Sequence, residues 1–145
     1  MLSVTLAGDT DTMTEILEYA HNTESPLLSY NSEAELTMIV NLVYLQARDR
    51  YRIEREDKAG IGYVDFIFYP EIDRKADGII LELKIDHTAE DALQQIKDKK
   101  YLTKFQGKLG QKPCYTGKIL GVGIAYYKDI KKHECKIEVL RQAMK

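Results

Sequence analysis

The run Ile79-Ile80-Leu81-Glu82-Leu83-Lys84-Ile85 constrains this chain more than any other segment. It is short and almost wholly apolar, and it lies between the polar stretch Pro70–Gly78 and Asp86-His87, which is the signature of a buried central β-strand. Side chains two apart on a strand share a face. Glu82 and Lys84 therefore point together to one side, and Leu81, Leu83 and Ile85 to the other. Charges on a buried strand are costly unless they are paired or bind a metal. The preceding apolar run, Tyr63-Val64-Asp65-Phe66-Ile67-Phe68, repeats the anomaly: Asp65 stands on one side while Val64, Phe66 and Phe68 face away. Two successive strands thus each present a carboxylate from an apolar setting.

The flanking periodicities supply the rest of an α/β fold. Thr10 or Asp11 can cap a helix through Met13, Ile16, Leu17 and Tyr19 to about His21, stopped by Ser25-Pro26. Leu27–Tyr30 is a connector. Asn31 or Ser32 can cap a second helix with one apolar stripe, Leu36, Ile39, Val40, Val43 and Tyr44. Strands are expected from Tyr51 and over Tyr63–Tyr69, with a turn at Gly60–Gly62. Thr88 can cap a helix through Ala92, Leu93 and Ile96 to roughly Phe105, and Asp91 at its third position departs from the usual Glu or Gln of a capping box. After the loop Gly107–Gly117, strands follow at Ile119–Tyr127 and Cys135–Leu140, joined across Asp129–His133. The order α-α-β-β-β-α-β-β predicts a mixed β-sheet flanked by helices, in which the crossover helix makes the third and fourth strands parallel. Residues 1–30 read as an N-terminal helix and connector, and 31–145 as one compact domain.

The 145 residues suffice for a core without disulfides or a structural metal. Cys114 and Cys135 are too few for a disulfide framework and lack zinc-site spacing, so both read as reduced thiols. With no secretory leader and no apolar run near the ~18 residues needed to cross a bilayer, a cytoplasmic protein is expected. A formal net charge of −2 excludes a uniformly basic surface. The charge is unevenly spread: seven acids and no Lys or Arg occupy Met1–Glu35, and seven lysines oppose Asp98 alone over Lys97–Lys118. That second stretch can be a solvated face or a phosphate-facing one.

Two neighbouring carboxylates are most readily reconciled by a divalent cation, which takes oxygen ligands. A lysine beside them can orient or deprotonate a metal-acidified water, the equipment for phosphodiester hydrolysis. The alternative is a buried salt bridge between Lys84 and a carboxylate, with no chemistry.

The ordered set Gly60-Ile-Gly-Tyr-Val-Asp65, Glu82-Leu-Lys84 and Ala92-Leu-Gln-Gln95-Ile-Lys-Asp-Lys-Lys-Tyr101 resembles the PD-(D/E)xK nuclease superfamily, from about Asp11 onward. More narrowly, it resembles the bacterial branch whose nuclease-like domain follows an AAA-ATPase-like domain. Val64 stands where the superfamily's name has proline. The resemblance implies a restriction-endonuclease-like core and Mg²⁺ or Mn²⁺ held by Asp65, Glu82, the Leu83 carbonyl and Glu33. It also implies Lys84 as the water-positioning residue, Gln95 as a further catalytic residue, and nucleic acid, DNA before RNA, as substrate. Lys97, Lys99, Lys100, Tyr101 and Lys104 would then contact the backbone. Glu35 replaces Glu33 if the register shifts.

Each supporting residue has a plainer reading as well. Gln95 can be a polar residue at the edge of the core, and Glu33 a favourable acid in a first helical turn. Gly60 and Gly62 suit a turn better than a phosphate, because they lead into a strand. His21, His87 and His133 lack ligand spacing. A domain that binds nucleic acid without cleaving it is a second reading. A third is a regulatory domain whose acidic N-terminal helix docks on an AAA-ATPase-like domain of the same polypeptide, the leader before Asp11 then being a boundary.

Overall fold

The structure is a computed structural model describing residues 1–24, 33–55, 65–99, 102, 105 and 114–144. In chain order its elements are α1 (Leu2–Leu6), α2 (Thr10–Glu24), α3 (Glu33–Val43), a 3₁₀ turn (Leu45–Asp49), β1 (Tyr51–Arg55), β2 (Phe66–Pro70), β3 (Gly78–Ile85), α4 (Ala89–Asp98), β4 (Ile119–Tyr127) and β5 (Lys132–Arg141). The five strands lie in sequence order, with β3 and β4 parallel and the other neighbours antiparallel. This is the expected mixed sheet with its parallel crossover pair.

Alternation along the strands sorts the core into two layers. Phe66, Phe68, Ile79, Leu81, Leu83, Leu120, Val122, Ile124 and Tyr126 face α2 and α3, which contribute Met13, Leu17, Leu36, Ile39 and Val40. Ile67, Tyr69, Ile80 and Ile119 face α4, which contributes Leu93 and Ile96. Full burial of each such side chain is worth about 1.5–3 kcal/mol, so the layers hold the sheet between helices.

Several local expectations are corrected. The segment before Asp11 forms a helix of its own, α1: fully buried Thr5 bonds to the Tyr44 hydroxyl at 2.8 Å and to the Met1 carbonyl at 2.9 Å. Asp9 caps α2 in place of Thr10 or Asp11, accepting from Thr12 N at 3.1 Å and Thr12 Oγ1 at 2.6 Å. Those bonds favour the ionised carboxyl and lower its pKa. α4 does open with a capping box: Thr88 Oγ1 accepts from Asp91 N at 3.0 Å and Asp91 Oδ2 from Thr88 N at 3.3 Å, so the shorter carboxylate suffices. α4 ends at Asp98, with Lys99 as its C-cap, rather than continuing to about Phe105. Phe105 instead packs on Tyr69 and Tyr115, with ring centroids 5.0 and 5.7 Å away. β5 begins at Lys132, so the β4–β5 turn is shorter than expected. Asn31, Ser32, the Gly60–Gly62 turn, Tyr63 and Val64 lie outside the described residues. Among the described residues, no helix is long and apolar enough to cross a membrane.

Candidate active site

β2 and β3 pair with Phe66 opposite Leu81, Ile67 opposite Ile80 and Phe68 opposite Ile79. Ile67 and Ile80 face α4. Asp65, two residues before Ile67, and Glu82, two after Ile80, therefore belong to the α4 side, and one further step of the register sets them opposite one another. Both are buried, at 5% and 2% exposure. Lys84 follows on the same face, half-buried. It forms no ion pair with another described residue, which disfavours the salt-bridge alternative.

Backbone bonding brings Asp65 and Leu83 together. Gly78 N donates to Lys118 O at 2.8 Å and Asp86 N to Tyr126 O at 2.8 Å, so even-numbered residues of β3 address β4. The N–H and C=O of Leu83 consequently address the β2 edge. Ladder pairing with β2 ends at Phe66, and Asp65 Oδ2 accepts from Leu83 N at 2.6 Å in its place. The Leu83 carbonyl is directed at the same edge. Asp65, Glu82 and this carbonyl form a hard oxygen donor set of the kind that suits Mg²⁺ or Mn²⁺. Among the described residues, no group of three or more His, Cys, Asp or Glu side chains is placed to hold a metal, so a metal here would rest on two carboxylates and the backbone oxygen.

α4 closes the same face. Gly123, the register partner of Glu82, has no side chain, and a Cβ there would lie 2.4 Å from the Ala89 carbonyl oxygen and 3.1 Å from the Ala92 Cβ. The helix start is therefore seated directly on the sheet beside Glu82. Its first amide is held from β5: Glu134 Oε1 accepts from Ala89 N at 2.9 Å and from the Tyr127 hydroxyl at 3.2 Å. The sequence sign of this close approach is Gly121-x-Gly123-x-Ala125, small residues at every second strand position. Nothing in the sequence marked Glu134.

The remaining candidates are dispersed. Gln95 is half-buried on α4, about 9 Å of helix rise beyond Ala89. Lys97, exposed, pairs with Glu138 of β5 at 2.5 Å, which raises its pKa. Lys99 is the C-cap of α4. Lys100, Tyr101 and Lys104 lie outside the described residues. Glu33 is exposed at the start of α3, a helix that buries Leu36, Ile39 and Val40 against the opposite face of the sheet; Glu35 is half-buried one turn on.

The profile of the PD-(D/E)XK nuclease superfamily matches residues 32–134, well over half of the chain. The chain belongs to this superfamily. The match spans α3 to the start of β5 and includes Asp65, Glu82, Lys84, Gln95 and Gly123. No curated protein and no solved structure gives a match. A five-stranded mixed sheet flanked by helices is consistent with the restriction-endonuclease-like core of PD-(D/E)XK proteins. Nucleases of this superfamily generally use divalent metals such as Mg²⁺.

Proposed function

We propose that the chain is a Mg²⁺- or Mn²⁺-dependent nuclease domain hydrolysing phosphodiester bonds in DNA. The observation that carries this reading is the pairing of two buried carboxylates, Asp65 and Glu82, on one face of adjacent strands, with Lys84 on the same face. Asp65, Glu82 and the Leu83 carbonyl would hold the ion. When bound, the metal supplies charge neutralisation at the scissile phosphate and a more acidic water. Lys84 would orient that water and take or return its proton, and Gln95 would hold it or the phosphate from the α4 side. The α4 packing at Gly123 excludes bulk solvent from the Glu82 side, which strengthens each of these interactions.

The test is incubation of purified protein with linear, circular and single-stranded DNA plus Mn²⁺. Cleavage that disappears in Asp65→Ala supports the reading; wild-type activity no greater than that of the variant would sink it.

A second reading follows from the 2.6 Å bond between Asp65 and Leu83 N: Asp65 serves as a strand-end acceptor in a domain that binds nucleic acid without cutting it. It predicts salt-sensitive DNA binding indifferent to metal and to Lys84→Ala. Residues 31–145 would be the nuclease unit in either case. Association with an AAA-ATPase-like domain rests on the resemblance and is checked by co-purification of the two.

A further inference from the structure

α4 leaves the site at Ala89, beside Glu82, and about 15 Å of helix rise carries the chain from there to Lys99. At the other end of the sheet Phe105 packs over Gly78, the first residue of β3, and Gly78 N donates to Lys118 O. Lys99, the C-cap of α4, and Lys118 thus stand toward the end of β3 opposite Lys84, and Lys97 is engaged by Glu138.

Among the described residues, the basic side chains at the carboxylate end of the sheet include Arg55, opposite Phe66, and a cluster in the β4–β5 turn and its flanks, Lys128-Asp129-Ile130-Lys131-Lys132. Asp86, two residues beyond Lys84, anchors this turn. It adopts φ 59°, its Oδ1 accepts from Lys128 N at 3.0 Å, and its Oδ2 lies 3.5 Å from Lys128 Nζ. Lys131 turns the chain at φ 53°, and Ile130 stands 65% exposed. Lys132 pairs with Glu18 at 3.4 Å. The Lys128–Asp86 pair is long and solvent-exposed, worth at most about 1 kcal/mol, so a phosphate oxygen can replace the carboxylate. Asp86 is about 13 Å along β3 from Glu82, the rise of about four nucleotides of one DNA strand.

We infer that the β4–β5 turn is the nucleic-acid grip of this site, with Lys128 and Lys131 contacting backbone phosphates a few nucleotides from the scissile bond and Ile130 resting against the sugars or groove between them. The inference rests on the nuclease reading for the position of the scissile bond, but not for the binding it predicts. Exposed lysines that release counterions dominate affinity for DNA and make it salt-dependent, while an exposed apolar residue between them can seat in a groove.

The test measures binding of fluorescein-labelled duplex and single-stranded DNA without metal, as a function of salt, for the full chain and for Lys128→Glu/Lys131→Glu, with thermal melting to confirm the fold. The pair of reversals should weaken binding at least tenfold at low salt and lower the slope of log K against log salt by about 2. Lys75→Glu, an exposed position in the loop before β3, should leave both within about twofold. Ile130→Ser should weaken binding with no change of slope. An unchanged slope in the double variant, a loss confined to Lys97→Glu/Lys99→Glu, or no binding by the wild type would each overturn the inference. Binding that follows these expectations without Mn²⁺-dependent cleavage would uphold the grip and reject the nuclease reading. Cleavage insensitive to the turn variants would do the reverse.

Discussion

Asp65 Oδ2 accepts the backbone amide of Leu83 at 2.6 Å, so a side chain from the start of β2 completes the hydrogen-bond ladder of β3 one position past the last paired residues. The same bond ties the first acidic residue of the site to the backbone between Glu82 and Lys84. A structural role and the proposed catalytic one therefore fall on one carboxylate.

Separating them needs two substitutions at one position. Asp65→Ala leaves a buried amide unpaired, a cost of about 1–3 kcal/mol in urea denaturation. Asp65→Asn keeps an acceptor oxygen and should fall within about 1 kcal/mol of wild type by the same measure. Both should lose metal-dependent cleavage, because an amide oxygen is a poor substitute for a carboxylate on a hard cation. Wild-type cleavage by Asp65→Asn would remove Asp65 from the chemistry.

Gly123→Val should be the most damaging substitution away from the carboxylates. Even a Cβ there meets the Ala89 carbonyl oxygen at 2.4 Å, which is backbone and cannot rotate away. The strain should cost about 1–3 kcal/mol or more and lift the start of α4 from Glu82. A shift of the denaturation midpoint together with lost cleavage is the expected outcome. A midpoint unchanged from wild type would mean that α4 does not sit against Gly123.

Stability should fall in mildly acidic solution. His21 Nδ1 and His133 Nε2 are 3.0 Å apart in the core between α2 and β5, against Tyr126. Burial first, then the charges of His21 and Lys132, push the His133 pKa down from 6.5 to about 4. The unfolded chain thus takes up this proton more readily than the folded one. The contribution is complete above about pH 6.5 and is lost as pH falls from there to about 4, by at most about 1.4 kcal/mol per pH unit for this group. Comparing denaturation midpoints at pH 7.5 and 4.5 in wild type and His133→Gln checks it: the pH-dependent loss should shrink in the variant, and an equal loss in both would exclude His133 as its source.

The two thiols should differ in reactivity. Cys114 is exposed, whereas Cys135 is 7% exposed and burial pushes its pKa up to about 11. The thiolate is the reactive form, so a thiol reagent at neutral pH should modify one cysteine quickly and the second only after denaturant is added. Rapid modification of both under native conditions would mean that β5 is not packed as described.

Most elements were legible because each has a period of its own. The alternation in β3 and β2 located Asp65, Glu82 and Lys84 and placed the two carboxylates on a common face. The apolar stripe Leu36, Ile39 and Val40 identified α3. Less was legible where a distant partner decides the outcome. Leu2–Leu6 has no strong helical pattern and is held by Thr5 on Tyr44, the residue just after α3. α4 stops at Asp98, and Phe105 packs on Tyr69 and Tyr115, contacts across the chain that helical propensity does not register.

The sequence alone determined most of the elements, the parallel crossover and the superfamily, and it singled out the three residues proposed for the site, since strand alternation and ordered motifs are local properties. The tertiary structure decided which backbone group Asp65 meets and how closely α4 approaches Glu82. It also decided which lysines stand at the carboxylate end. Those depend on ladder register, on the absence of a side chain at Gly123 and on the direction of α4, which are relations between segments far apart in the chain.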